Sequence, residues 1–580
     1  LGFALSAAGD AVYLTDPLGQ RVLDAVILPA AETGVPLVRS RSDGPLRSRS
    51  EPSVLINEIM FHPPTDDNSD EWIELYNPGL GVIDLSGWAF TDGVDFIFPS
   101  GSQIEGGGFL VIAKDRRQTF VNHPDLDRNM VLGDYGGSLS DGGERVALSK
   151  PDGGFLVVED EVTYRDSDRW HRFSDGRGSS LERRDPGANS SGASNWADSD
   201  ESVKSEWTNV EFTGTLAHGN GNAPANQIQM FLLGAGEALV DQVEVIPEGG
   251  SNILSNGGFE SGTSGWFFQG NHRRSRLERT EGFAGGNSLR LIATRRGDPG
   301  PNRARAPLTQ TLSTGSRATL RAKVRWLAGH PEYLLRFRGN WLEAKGRLDL
   351  PKNLGTPGAM NSQAVANAGP QIDEVMHRPV LPEAGDDVSV YAEVADADGL
   401  GIVALRYRID PSSVAIDVSM NDDGTGPDLT AGDGIYSAEI PSQERGTLIA
   451  FQIVATDSGM IESVFPPGGE GLIRIGEPAN GEAFGTYRMW ITRASLNEWD
   501  SQPFRSNDPF PITFVSNGSR VIYGAGAFYG GNKDSHSFPT EGSVSYDVTL
   551  PDHEEFLGTD KLTLDYPVRD TTNQREQTMH

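Results

Sequence analysis

Cysteine is absent from the chain. Disulfides and thiolate-bound zinc are therefore excluded, and any bracing by metal has to come from oxygen or nitrogen ligands. The absence does not fix the compartment. Histidine is scarce, with 10 in 580 residues and none in an H-E-x-x-H arrangement, so the zinc-peptidase helix is missing. No Ser/His/Asp constellation is visible, and no residue is assigned a catalytic role. No apolar run approaches the length needed to span a bilayer as a helix. Positive charge is in deficit: 49 Lys and Arg face 81 Asp and Glu, a net charge of −32. That balance favours solubility and argues against general nucleic-acid binding. The chain begins Leu1-Gly2 and ends at His580, which reads as an internal piece of a longer protein.

What the chain does contain is turns. Gly (70) and Pro (35) make up 105 of 580 residues, against a usual combined share of about 12 percent. Between them lie short apolar runs at roughly ten-residue spacing, the pattern of β-sandwiches. The stretch from Val54 to Lys114 shows it best. Within Trp72 to Tyr76, Ile73 and Leu75 share one face, and Trp72, Glu74 and Tyr76 share the other. The length suggests about four domains.

An internal repeat sits at an offset of 134. Leu5, Ser6, Gly9, Val12, Leu14, Pro17 and Gly19 fall on Leu139, Ser140, Gly143, Val146, Leu148, Pro151 and Gly153, seven identities in fifteen positions. Residues 1–50 thus read as the end of one module plus an Arg/Ser-rich linker, with a full copy at 51–199. In that copy Asn57-Glu58-Ile59, Asp70 to Asn77, Leu85-Ser86-Gly87-Trp88, Leu139 to Glu144, Ser180 to Arg183 and Asn195-Trp196 resemble the lamin-tail domain. The resemblance implies an immunoglobulin-like sandwich, in which Trp72 and Trp88 are packing residues. The acidic turn Asp66 to Glu71 reads as a solvated turn, and His62 as structural.

Residues 200–365 read as a jelly roll. Asn256-Gly257-Gly258-Phe259-Glu260 followed by Gly265-Trp266 resembles the opening of carbohydrate-binding, galactose-binding-like modules. Leu320, Ala322, Val324 and Trp326 alternate with Arg321, Lys323 and Arg325, and Leu335 and Phe337 with Arg336 and Arg338. Residues 271–350 carry 15 Arg and 2 Lys against 6 acids, a net of +11 in a chain whose remainder carries −43. Two readings compete for Arg321, Lys323, Arg325, Arg336 and Arg338. One is a face for polyanions, either acidic glycans and surface polymers or an acidic neighbouring domain, because the guanidinium fork suits carboxylate and sulfate. The other is an ordinary solvated face.

Residues 366–480 alternate at Val388, Val390, Ala392 and Val394 and again at Val403, Leu405, Tyr407 and Ile409. They resemble the immunoglobulin-like or fibronectin-like modules of bacterial surface proteins. Their loop, with Asp422, Asp423, Asp428 and Asp433 among glycines, supplies carboxylates on a turning backbone, as Ca²⁺ requires. It lacks the EF-hand spacing and the terminal bidentate Glu, so a Ca²⁺ loop and a tight hairpin both remain open.

Residues 481–580 change character. A short helix over Ala494 to Trp499 and a hairpin turning at Asn517-Gly518 are expected. Tyr523 to Gly530, Phe556 to Asp560 and Gln574 to Gln577 resemble the start of the CotH kinase family, the spore-coat protein H type. The resemblance implies the N-terminal part of an α+β kinase-like fold. Gly526 and Gly530 would lie in a flexible phosphate loop, with Lys533 and Lys561 as nucleotide contacts, and ATP and Mg²⁺ would be needed only where a later lobe completes the domain. On its own, this piece is not expected to be catalytically active. The whole chain therefore reads as mostly β: tandem sandwiches in an extended rod, then a truncated kinase-like region. The expected role is that of an extracellular or cell-surface binding and scaffold protein, the location resting on module resemblance alone. The alternative is part of a CotH-type kinase.

Overall fold

The computed structural model describes residues 53–152, 155–166, 170–217, 223–296, 301–339, 341–478, 486–503, 505–530, 545–551, 554, 556 and 559–564, together with the backbone of Asp10–Thr15 and Val22–Leu28. The chain is mostly β, built from separate sheets. Asp10–Thr15 and Val22–Leu28 pair antiparallel with a register break at Leu14/Thr15. Gly143–Asp152 and Phe155–Arg165 pair the same way, with a break at Leu148/Ser149. These two breaks stand 134 residues apart, the offset of the sequence repeat.

The stretch that resembles a lamin-tail domain, called the lamin-tail module below, is a sandwich of a six-stranded and a four-stranded sheet. The six-stranded sheet runs Val131–Gly133, Phe109–Ala113, Trp72–Tyr76, Leu55–Met60, Leu181–Arg183, Trp196–Asp198. Period-2 alternation sends Ile73 and Leu75 into the sandwich interior beside Trp88 and Trp196. Trp72 points the other way and joins the jelly-roll core beside Trp326 and Leu354. Both tryptophans singled out in the sequence are buried, Trp72 to 2% exposure and Trp88 to 7%.

The jelly roll packs two five-stranded sheets face to face. One is ordered Trp207–Thr215, Arg317–Gly329, Gly236–Pro247, Ser288–Ala293, Arg276–Glu278. The other is Phe267–Gln269, Arg303–Leu312, Ala225–Leu232, Glu332–Phe337, Glu343–Arg347. Trp266 is buried against Phe259, and its indole N–H donates to the Asn256 carbonyl at 3.0 Å. The Asn-Gly-Gly-Phe-Glu run thus shapes a turn and a core contact.

The immunoglobulin-like module has a three-stranded sheet, Gln371–Arg378, Val388–Ala395 and Ile435–Ile440. It faces a larger sheet centred on Leu400–Asp410 and Leu448–Asp457. Last comes a five-stranded antiparallel meander from Tyr487–Trp490 to Lys561–Leu564, with the helix Arg493–Ser501 after its first strand. The Phe510–Ser516 and Arg520–Tyr529 strands form the expected hairpin, with Asn517 and Gly518 at φ of 52° and 63°, the left-handed geometry of a tight hairpin turn.

These modules do not form the extended rod expected from sandwiches joined by short loops. Trp490 and Val515 of the last sheet share a core with Leu448, Ala450 and Leu472 of the immunoglobulin-like module. Tyr523 packs against Phe451 and hydrogen-bonds the buried His377. The same last sheet reaches back to the jelly roll, where Asp508, fully buried, accepts from Arg273 and, at 2.6 Å, from the Thr294 hydroxyl. Shared apolar cores and buried polar contacts thus fold the chain back on itself.

Candidate functional site

The basic residues of the jelly roll fall on two opposite outer faces. Arg321, Lys323 and Arg325 project from Arg317–Gly329, whose alternate residues Leu320, Ala322, Val324 and Trp326 fill the core. The strand lies between two others, so Arg321 stands opposite Glu211 and Glu244, Lys323 opposite Asn209 and Asp241, and Arg325 opposite Trp207. Arg321 pairs with Glu244, which holds its guanidinium above the ordinary value. Arg325 pairs with Glu281 and lies over the Trp207 ring at 5.6 Å. Lys323 lies over Phe283 at 4.6 Å. Arg336 and Arg338 belong to the other sheet. Arg336 is buried over Phe231 at 4.6 Å, with Glu343 at 3.8 Å, and Arg338 is exposed just past the strand end. The five residues are therefore not one site. The first three lie among acids and aromatic rings of their own sheet.

In the 421–434 loop the structure brings three of the four candidate aspartates together. Carboxylate oxygens of Asp422, Asp428 and Asp433 lie within 4.8 Å of one another. Asp423 stays outside this group and accepts instead from the Thr425 N–H at 2.9 Å and hydroxyl at 2.6 Å. The converging three also cap turns. Asp422 accepts from the N–H groups of Gly432, Asp433 and Gly434 at 2.6, 3.2 and 2.9 Å. Asp428 accepts from Gly424 and Thr430, and those N–H groups lower its pKa. Asp433 accepts from Ile435 at 3.0 Å. Such oxygens are hard ligands of the kind Ca²⁺ takes, and three carboxylates form a partial shell for it.

The kinase-like residues are placed differently from the sequence expectation. Gly526 is inside the Arg520–Tyr529 strand, opposite Pro511 on one side and Thr549 on the other. It is not in a flexible loop. A Cβ there would lie 2.8 Å from Pro509 Cβ, and one at the buried Gly530 would lie 2.9 Å from Asp547 Oδ1. Close packing, rather than phosphate access, accounts for both glycines. Lys561 is exposed at the start of the edge strand, 3.3 Å from Asp560. Lys533 and the 574–577 segment lie outside the described residues.

The feature that sequence reading missed is a row of three buried glutamates on the lamin-tail sheet. Glu58 stands directly opposite Glu74 on one side and Glu182 on the other, and all three are fully buried. Burial raises the pKa of Glu58 well above the carboxylate range, and Glu182 and Glu74 raise it further. Glu74 is raised as well, again chiefly by burial. Residues 354–365, of which 353–359 read from the sequence as a loop and domain boundary, are laid across the row as a strap. Thr356 N–H donates to Glu58 Oε1 at 2.8 Å, and Gly358 N–H donates to Glu74. Ser362 Oγ and Gln363 N–H donate to Glu182 Oε2 at 2.8 and 2.9 Å. Asn361 and Asn57 bond each other reciprocally, at 2.7 and 3.0 Å. The visible signal was Glu74 sharing a face with Trp72, but nothing local said that the face is covered.

Two smaller features adjoin this junction. A cavity of about 520 Å³ opens between the lamin-tail module and the jelly roll, lined by Met60, Trp72, His123, Arg347 and Lys352 among others. Burial pushes His123 down to about 4. His62 is held at 2.7 Å from Asp175 and 3.2 Å from Asp66. Burial would lower its pKa, but these hydrogen bonds outweigh burial and raise it.

The family model described as Lamin Tail Domain matches residues 47–166. No curated protein matches the chain. Among solved structures, the cycloalternan-forming enzyme from Listeria monocytogenes, in complex with a pentasaccharide substrate, is similar at 12% identity and a TM-score of 0.14. The match covers 32% of this chain and 14% of that protein, far below two thirds of its length. A DUF4785 family protein from Legionella pneumophila is similar at 8% identity, covering 57% and 76% with a TM-score of 0.14. The Escherichia coli adhesin FdeC is similar at 9%, covering 75% and 99% with a TM-score of 0.13. Scores this low carry neither a ligand nor an activity across to this chain.

Proposed function

We propose that this chain is the scaffold of a secreted or cell-surface binding protein, in which β-sandwich modules are locked in place to present sheet faces and loops to glycans. The strap over the glutamate row carries this reading. A simple tether needs no buried hydrogen bonds. Residues 354–365 spend theirs on Glu58, Glu74, Glu182 and Asn57, and so hold the lamin-tail module against the jelly roll. Loops and faces on such a frame are where ligands are met. Ca²⁺ at Asp422, Asp428 and Asp433 would stiffen one presented loop, and the convergence of the three carboxylates supports that. Small-angle X-ray scattering on the 580-residue chain tests the locked arrangement. One rigid particle should fit the profile; a profile that demands independently moving modules would refute it.

A second reading is that the last module begins a CotH-type kinase domain whose catalytic lobe follows residue 580. The five-stranded antiparallel meander with one helix favours it. A nucleotide-binding titration with ATP and Mg²⁺ tests it. Binding weakened by Lys561→Ala would support the reading, and nucleotide binding untouched by that change would count against Lys561.

A further inference from the structure

The cavity between the lamin-tail module and the jelly roll takes a wall from each. One wall is the Asp70 turn with the last turn of the Arg116–Asn122 helix. The other is residues 347–354, which run on from the Glu343–Arg347 strand. The volume of about 520 Å³ falls within the roughly 300–1,000 Å³ of small-ligand sites. The polar groups of the first wall are held in place. Asp70 accepts from the Thr65 hydroxyl at 2.6 Å, the Asn122 amide at 2.7 Å and the Gln118 amide at 2.9 Å. His123 comes next, its ring in a T-shaped contact with Trp72, centroids 6.3 Å apart. Among the described residues neither of its ring nitrogens has a hydrogen-bond partner. Burial pushes the imidazole down to about 4, so at neutral pH the ring is uncharged and offers one donor and one acceptor.

Accessible apolar surface lies in the same cavity. Val121 is 59% exposed, Pro64, Leu350 and Pro351 are half-buried, and the buried Met60 and Trp72 also contribute to the lining. From the second wall Arg347, Asp349 and Lys352 are exposed. Arg347 approaches Glu332 at 3.9 Å, and among the described residues neither Asp349 nor Lys352 forms an ion pair. The charges of the lining balance, Arg347 and Lys352 against Asp70 and Asp349. A ligand with net charge therefore meets repulsion along with attraction. A wholly apolar ligand would bury these polar groups without partners, which costs free energy. The lining offers donors and acceptors in mixture: ammonium and guanidinium donate, carboxylates accept, and amides and a neutral imidazole do both. Sugar hydroxyls also do both, and the C–H face of a sugar ring suits the Val121 and Leu350 surface.

We propose that this cavity binds one end of a neutral saccharide, with Asn122, His123 and Asp349 hydrogen-bonding its hydroxyls and Val121 and Leu350 against its C–H face. The assignment rests on the glycan-presenting reading above and names the site and the ligand chemistry. The test is calorimetric titration of the full chain with neutral oligosaccharides derived from dextran, cellulose and mannan. Oligogalacturonate serves as the acidic control and hexanol as the apolar one. A neutral oligosaccharide should bind more tightly than either control. Affinity should drop roughly tenfold in Asp349→Ala, the loss expected for one charge-assisted hydrogen bond. It should fall about threefold to tenfold in His123→Phe, which loses a neutral one. Val121→Trp, which fills the mouth from an exposed position, should abolish binding, and Arg317→Gln on the far sheet should leave it unchanged. Melting temperatures separate lost binding from lost folding. In the native chain, bound saccharide should slow hydrogen exchange at residues 121–126 and 347–350, which locates the site without any variant. Saccharide binding that ignores Asp349→Ala and Val121→Trp, or protects other segments instead, would overturn the assignment and leave the glycan-presenting reading intact. Oligogalacturonate or hexanol binding as tightly, and lost in the same variants, would overturn the neutral-saccharide chemistry. No saccharide binding at all would overturn both the assignment and the reading beneath it.

Discussion

Replacing Glu58 by Gln should make the lamin-tail module more stable in mild alkali. Glu74, Glu58 and Glu182 stand side by side on adjacent strands, about 4.8 Å apart in the pairing direction. The Thr356 hydroxyl touches Glu58 Oε2 at 3.0 Å and Glu182 Oε1 at 2.8 Å. It has one hydrogen, so one of these contacts needs a proton on a carboxyl group. Glu58, between two other acids, is the group to carry it. The pKa values of Glu58 and Glu74 are raised by folding. Their stabilisation is therefore complete below the unfolded value near 4.5 and fades as pH rises through the folded value, about 8 for Glu74. At about 1.4 kcal/mol per pKa unit, the three units from pH 5 to about 8 make the loss at Glu74 about 4 kcal/mol. For a module of some 150 residues that is roughly 8–16 °C in melting temperature. A Gln amide at position 58 would donate permanently to the Thr356 hydroxyl, which could then donate to Glu182. Its carbonyl would still accept from Ser180 and the Thr356 N–H, as Glu58 does. The variant should show about half the pH slope and melt above the native chain at pH 9. Glu71, pushed up to about 6 by burial, contributes a slope of the same sign to both proteins, so their difference isolates the row. Differential scanning calorimetry from pH 5 to 9 makes the comparison. Equal slopes, or a variant weakened more at pH 9 than at pH 5, would refute the shared proton.

Three further outcomes are expected. Gly355→Ala should loosen the strap, because the new Cβ would lie 2.6 Å from Glu58 Oε1 and 2.7 Å from Trp72 at a φ of +75°; faster hydrogen exchange at residues 355–363 would register it, and unchanged exchange would contradict the packing. Asp508→Ala should leave Arg273 with Glu498 as its remaining acid partner and the Thr294 hydroxyl without its acceptor, weakening that contact by about 1–3 kcal/mol, visible as faster exchange in Phe510–Ser516. If the 421–434 loop takes Ca²⁺, the melting temperature should rise with CaCl₂ but not at matched ionic strength, and Asp428→Asn should erase the gain; a rise that survives this change would place the ion elsewhere.

The architecture was largely legible because alternation is a local signal. Leu320, Ala322, Val324 and Trp326 fill the jelly-roll core, and Val388, Val390, Ala392 and Val394 fill the immunoglobulin-like core, on the faces their spacing assigns. Asn517-Gly518 turns where its composition requires. The repeat offset reappears in the two hairpins. The glutamate row was hidden because register joins residues far apart: Glu58 meets Glu182 across 124 positions, and Thr356 reaches both from farther still. Gly526 misled for a related reason. A glycine tight against Pro509 has the same letter as one in a mobile loop, and only the packed neighbour tells them apart.

The basic stretch shows what a charge count along the chain can and cannot say. Its net of +11 left a polyanion face and an ordinary solvated face both open, and the fold divides the stretch into separate groups. Arg290, Arg317, Arg321 and Arg325 meet glutamates contributed within the jelly roll. Arg273 is taken by Glu498 of the Arg493–Ser501 helix and by Asp508, just before the Phe510–Ser516 strand, so acids of the neighbouring module are part of the answer. Arg303, Arg305, Arg336 and Arg338 come together on the opposite sheet, where Arg305 lies over the exposed Phe267 ring at 4.5 Å. The first two groups account for how an acidic chain tolerates a basic segment, since buried and bridging pairs draw on the acids around them.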